Sequence, residues 1–270
     1  KIETDQALVD AGQMKADDAL TLESRINISE RATEISKHLS FEEHMILREA
    51  LPLMLSFSLN DVTHSVAERV ANNAEIPSNI RTVKSKALEE NFVLHHMRSL
   101  AQKIGMTNTF VVTSTGLPTY ADKARTQPTW SNDVSTPSDI MKLVNYTVEN
   151  YPSFLQMSSV AEIKMPNKRD LYKNSNPLLE NSTKDKADKV QSIPTQGVIA
   201  GKTGLTDAAY WQAVCVTDLS QRGGEGYLAI FTSGNDNETY ALEPKRILDK
   251  AIDLLDGYHH DSDLQVRLEP

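Results

Sequence analysis

The sequence predicts an α+β fold, an antiparallel sheet flanked by helices and joined to a mostly helical part. Three observations carry this. Apolar residues recur at helical spacing through the first two thirds of the chain, the last third switches to short apolar runs separated by turns, and an amphipathic stretch closes it. A length of 270 residues with 39% hydrophobic residues is ample for a buried core. The expected organisation is one domain over 1–270, with a helical part over about 1–195 and the sheet and closing helix over about 196–260.

Taken in order, Lys1 to about Met14 carries Ile2, Ala7, Leu8 and Ala11 at helical spacing, and a turn is expected over 17–22. Phe41 to Phe57 reads as a strongly apolar helix with Pro52 inside it, a residue that kinks or breaks helices. Asp61 to Asn72 is a second helix, so Ser58-Leu59-Asn60 falls between two helices. Val83 to Ile104 is a long helix stopped by Gly105, and Phe110 to Val112 is a short strand. Thr136, Pro137 and Asp139 supply a cap, a first-turn proline and a first-turn acid for a helix running to about Asn150. Asn174 to Gln196 is polar and reads as a long excursion. Strands over 197–201, 209–217 and 227–232 then form a meander, and the closing helix spans Glu238 to Leu255.

A net charge of −9 argues against nucleic acid as a partner, because phosphate binding needs a basic face, and it identifies no other partner. No apolar run reaches the roughly 18 residues of a membrane helix. The single cysteine, Cys215, sits in an apolar strand and reads as a small core residue. The adjacent His95-His96 pair reads as helix surface rather than a metal site, since neighbouring residues point apart, and Trp130 and Trp211 read as packing. Nothing calls for a metal or other cofactor.

The chemistry is concentrated in two short motifs. Lys202-Thr203-Gly204 is expected at the end of a strand, and Ser58-Leu59-Asn60 precedes it between helices. Ser-x-x-Lys, Ser-Asp-Asn and Lys-Thr-Gly are the signature set of penicillin-binding proteins and class A β-lactamases. Further segments point the same way: FVVTSTGLP over 110–118, Ser135-Thr136 with Asp139, Tyr151-Pro152, Asn174 to Leu179, and the run from Gly201 through Thr206 to Ala209. On these residues the chain resembles the D-alanyl-D-alanine carboxypeptidases, the low-molecular-mass penicillin-binding proteins of the serine β-lactamase/DD-peptidase superfamily, over nearly its whole length.

The resemblance implies the rest of the expectation. No serine is followed by lysine three positions later. The N-terminal stretch is similar to the segment just after the Ser-x-x-Lys serine in the family, so Lys1 takes the place of that lysine. The nucleophile is then expected three residues before Lys1, and the strands that precede it are expected in an omitted segment or a separate N-terminal chain. A lysine one turn after a serine can take its proton if burial or a second cation lowers its pKa. By resemblance, Ser58 relays that proton to the leaving amine and Asn60 positions the substrate amide. Lys202 and Thr203 hold the terminal carboxylate, Gly204 admits its close approach, and Thr206 supplies a backbone donor to the oxyanion. The implied function is a serine DD-peptidase that cleaves the terminal D-Ala of peptidoglycan stem peptides outside the cytoplasm, in the periplasm or cell envelope, with β-lactams as covalent inhibitors.

The sequence also departs from the family. Polar stretches at 75–90 and 174–196 lengthen the interval between the two motifs, and Gly197-Val198-Ile199-Ala200 replaces the usual residues before Lys-Thr-Gly. No Glu-x-x-Leu-Asn is found after Ser58-x-Asn60, so a class A β-lactamase is disfavoured and a β-lactam adduct is expected to be long-lived. Two alternatives stay open, a non-catalytic relative that binds cell-wall peptide or protein, and a penicillin-recognising amidase or esterase.

Overall fold

The computed structural model describes residues 1–40, 43–72, 75, 77–118, 133–164, 171–179, 193–206, 209–222, 224–234 and 242–260. Helix α1 (Ile2–Asp10) leads through a 3-10 turn to strand β1 (Arg25–Asn27), helix α2 (Glu30–Ile35) and strand β2 (His44–Ile46), which pairs antiparallel with β1. Helices α3 (Leu47–Leu55), α4 (Asn60–Asn72) and α5 (Thr82–Phe92) come after it. Helix α5 continues through a π-helical stretch, Val93–Arg98, into α6 (Ser99–Lys103), and Gly105 turns the chain away at φ +75°. Next come α7 (Pro137–Asn150), α8 (Pro152–Ser158) and the hairpin of β3 (Glu162–Lys164) with β4 (Leu171–Lys173). Strands β5 (Val198–Thr206), β6 (Tyr210–Asp218) and β7 (Tyr227–Gly234) form an antiparallel sheet in that order, and α9 (Leu242–His260) packs on it.

Two apolar cores support this arrangement. The larger is built by β1, β2, α2, α3 and α4 from Ile26, Ile28, Met45, Leu47, Leu53, Phe57, Leu59 and Val62, all buried. The smaller lies between the sheet and α9, where Val198, Cys215 and Ile230 meet Leu248 and Ile252. Cys215 is thus the core residue its apolar strand predicts.

Several expectations change. The apolar run 41–57 is not one helix. Met45 pairs with Ile26 across β1 and β2, and the helix begins at Leu47, with Phe41 outside the described residues. The Phe110 strand shrinks to a single bridge with Val134. The polar excursion after Asn174 starts inside the protein, since Asn176, Leu178 and Leu179 are buried; residues 180–192 lie outside the described residues, as does Trp130. The first strand of the meander is longer than expected: β5 runs on through Lys202-Thr203-Gly204 to Thr206 instead of ending there. The Thr136 cap is as expected, its hydroxyl accepting from Asp139 N at 3.2 Å ahead of Pro137.

Candidate active site

The site begins at the corner between α3 and α4. Helix α3 ends at Leu55, and Leu59 N reaches back to Leu53 O at 3.2 Å to close the turn. Buried Phe57 and Leu59 anchor it on the larger core. Between them Ser58 takes φ +57°, a left-handed conformation that a serine adopts only when its neighbours impose it. Ser58 and Asn60 are both partly exposed, and Asn60 opens α4. Asp61 is fully buried and accepts from Leu39 N at 2.8 Å, which pins the start of α4 to the segment after α2.

Strand β5 brings Lys202 to this corner. Its Nζ donates to Ser58 Oγ at 2.8 Å and also to the carbonyl of Thr203. Burial pushes the Lys202 ammonium down to about 8, because desolvation penalises the charged form. The buried Thr203 hydroxyl is hydrogen-bonded to the Ser175 hydroxyl. Ser175 N donates to Ser56 O at 3.2 Å, and Ser56 Oγ to Met157 O at 2.9 Å. These contacts close a ring through Ser58, Lys202, Thr203, Ser175 and Ser56, joining the α3–α4 corner to the sheet.

The ring is possible because β5 lies very close both to β6 and to the segment that carries Ser175. A Cβ on Gly201 would come within 2.3 Å of Val214 O and 2.7 Å of Asn176 Nδ2, so only glycine admits the approach. A Cβ on Gly204 would meet nothing within 4 Å, and the residue is exposed, consistent with an open strand edge there. Strand β5 is an outer strand among the described residues. Thr206 ends it, opposite Tyr210, and its hydroxyl accepts from Ala209 N at 3.0 Å.

Lys1 is placed differently. Its Nζ donates to the buried Asp5 Oδ1 at 2.6 Å within α1, and Leu20 N donates to the other Asp5 oxygen at 2.9 Å. Burial alone would raise the Asp5 carboxyl, but these bonds and the Lys1 charge hold it below its ordinary value. No hydrogen bond joins Lys1 to Ser58 or Lys202 among the described residues. The structure therefore assembles Ser58, Lys202 and Thr203, places Asn60 two residues after Ser58 at the start of α4, and keeps Lys1 on Asp5.

Sequence reading places Ser175 within the Asn174 to Leu179 segment that carries part of the resemblance but gives it no role in the site, since the stretch that follows reads as a polar excursion. It also misses a buried cluster one turn below Asn60. His64 Nε2 lies 3.3 Å from Glu68 and 3.0 Å from Ser85 Oγ, and His64 Nδ1 lies 3.4 Å from Glu89. Glu89 also accepts from Ser114 N at 3.0 Å and Ser114 Oγ at 2.6 Å. Burial opposes the imidazolium, but bonds and charge from Glu68 and Glu89 outweigh it and hold His64 up to about 9. Burial likewise opposes the Glu89 carboxylate, and His64 and Ser114 overcome it, bringing Glu89 down to about 2. The i,i+4 spacing of His64 and Glu68 on a helix is the sequence signal for this pair.

No family model and no curated protein matches the sequence. Solved structures do. A peptidoglycan synthesis regulatory factor from Streptococcus pneumoniae superposes with TM-score 0.64 at 19% identity, covering 93% of this chain and 68% of that one. Penicillin-binding protein D2 from Listeria monocytogenes, with ampicillin bound, gives 0.59 at 18%, covering 91% and 81%. A D-alanyl-D-alanine carboxypeptidase from Mycobacterium tuberculosis gives 0.58 at 19%, covering 93% and 80%. The chain has the α+β fold of the D-alanyl-D-alanine carboxypeptidases and low-molecular-mass penicillin-binding proteins.

Proposed function

We propose that the protein is a serine DD-peptidase that removes the terminal D-Ala of peptidoglycan stem peptides through an acyl-enzyme, outside the cytoplasm. The observation that carries this reading is the Lys202 Nζ to Ser58 Oγ contact at 2.8 Å, between the two motifs that the resemblance assigns to one site. Lys202, held near 8, is mostly protonated at neutral pH. It donates to Ser58 Oγ and so leaves the Ser58 proton free for transfer to a leaving amine. Its charge and the Thr203 hydroxyl receive the substrate carboxylate. The outer strand β5 offers its backbone to an extended peptide, and Thr206 supplies an oxyanion donor at the strand end.

In this reading the attacking serine stands three residues before Lys1. Its oxygen bonds to the carbonyl carbon of the penultimate D-Ala, the C–N bond breaks, and the serine proton passes through Lys1 and Ser58 to the departing D-Ala. Water then hydrolyses the ester. Lys1 must leave Asp5 to serve as the base. β-lactams acylate the same serine and persist there.

Labelling the full-length protein with a fluorescent penicillin, followed by peptide mass mapping, tests the proposal. The expected result is one adduct just upstream of Lys1, lost in Lys202→Ala; an unlabelled protein sinks it. The Asp5 contact to Lys1 favours a second reading, a non-catalytic relative that binds cell-wall peptide. That protein would bind the peptide without forming an adduct.

A further inference from the structure

We propose that Ser175 is a positioning residue for the substrate carboxylate, acting through the hydroxyl of Thr203. The inference rests on the DD-peptidase reading of the site. Thr203 and Ser175 each have one hydroxyl proton, and the two groups are hydrogen-bonded to each other. If Thr203 spends its proton on Ser175, it has none for a carboxylate. If Ser175 donates, Thr203 Oγ1 is filled as an acceptor and its proton turns outward, polarised by the bond it receives. An anion at β5 selects the second arrangement. The resulting chain runs Ser175 O–H to Thr203 O–H to carboxylate, beside the Lys202 ammonium.

The segment bearing Ser175 is built to hold it still. Asn174 Nδ2 donates to Ser158 O and Val160 O, each at 3.0 Å, and Asn174 Oδ1 accepts from Asn176 N at 2.9 Å. Asn176 is buried, and its Oδ1 accepts from Leu178 N at 3.1 Å. Ser175 N is fixed on Ser56 O, two residues before Ser58. Asn174 holds the backbone on both sides, Asn176 Oδ1 accepts from Leu178 N and from the Cys215 thiol at 3.7 Å, and the exposed serine between them is hydrogen-bonded to Thr203. Pro177 and the buried Leu178-Leu179 pair then lock the segment under the sheet.

The test is binding of N-acetylated D-Ala-D-Ala by calorimetry, in its free-acid and C-terminal amide forms, to the full-length protein carrying alanine at the proposed attacking serine, which reads recognition without acylation. Ser175→Ala is expected to weaken the acid form about fivefold, the usual weight of one neutral hydrogen bond, since the Thr203 bond to the carboxylate remains, and to leave the amide unchanged. Ser175→Thr should keep the acid preference, and Ser175→Ala in a Thr203→Ala background should add little. Thermal melts of each variant report folding. Equal weakening of acid and amide in Ser175→Ala makes the residue merely structural and overturns the inference, as does no weakening. A protein with Ser175 intact but without acid preference overturns the carboxylate reading of β5 together with it.

Discussion

Lys202 is charged where its surroundings disfavour charge, and that sets a pH limit on the site. Its pKa falls from 10.5 to about 8 through burial, so the cation is present below about 8 and lost above it. Affinity for carboxylate-terminated peptides should therefore decline as pH rises through that value. Lys202→Arg, charged at all accessible pH, should flatten the profile in a calorimetric titration. Gly201 carries a different constraint. A methyl group there would meet backbone at 2.3 Å, a contact that only a shift of the strand can relieve. Gly201→Ala should cost on the order of 1–3 kcal/mol in urea denaturation and abolish peptide binding, since the strand would lift Lys202 away from Ser58.

At the scale of elements, α4, α5 and the chain around Ser114 are tied together by His64, Glu68 and Glu89. His64 is raised from 6.5 to about 9, so its contribution is fully present below 6.5 and disappears as pH climbs to about 9. Glu89 is depressed from 4.5 to about 2, so its contribution holds above 4.5 and is lost as pH falls toward 2. Thermal melts should show a plateau between those limits and a decline on both sides. Glu89→Gln should shrink both slopes.

How far the elements can be read depends on what decides them. Helix α4 is legible from its apolar periodicity, and the Thr136-Pro137 start from a cap and a first-turn proline that agree locally. The apolar run before Ser58 is not, because Met45 and Ile46 suit a strand or a helix equally and only pairing with β1 decides. The π-helical stretch Val93–Arg98 leaves no mark on composition, since it changes the hydrogen-bond step and not the residue types. In the site, Ser58, Asn60, Lys202 and Thr203 come from motif residues, whereas Ser175 depends on a segment whose burial is set by a strand arriving from later in the chain.

Among the described residues two apolar cores are bridged by the ring of contacts at the site and by α8, which lies against both α3 and β5. Truncating either core, by Leu53→Ala in α3 or Leu248→Ala in α9 against the sheet, should cost about 2–5 kcal/mol, because both side chains are fully buried. On the proposed function, a β-lactam held at the site should raise the melting temperature of both variants, since a ligand of the native site stabilises whatever must be folded to form it. Calorimetric scans with and without the drug would show this, and rescue of only one variant would mean that the site draws on one core alone.

The ring through Ser58, Lys202, Thr203, Ser175 and Ser56 has a practical corollary for handling the protein. Its polar contacts are few, while the larger core behind it is held by many buried apolar side chains. On warming, the seam can part while each core is still intact. Ligand recognition should then vanish some degrees before the bulk spectroscopic signal moves, and return on cooling. A preparation judged sound by its circular dichroism alone could already be functionally silent.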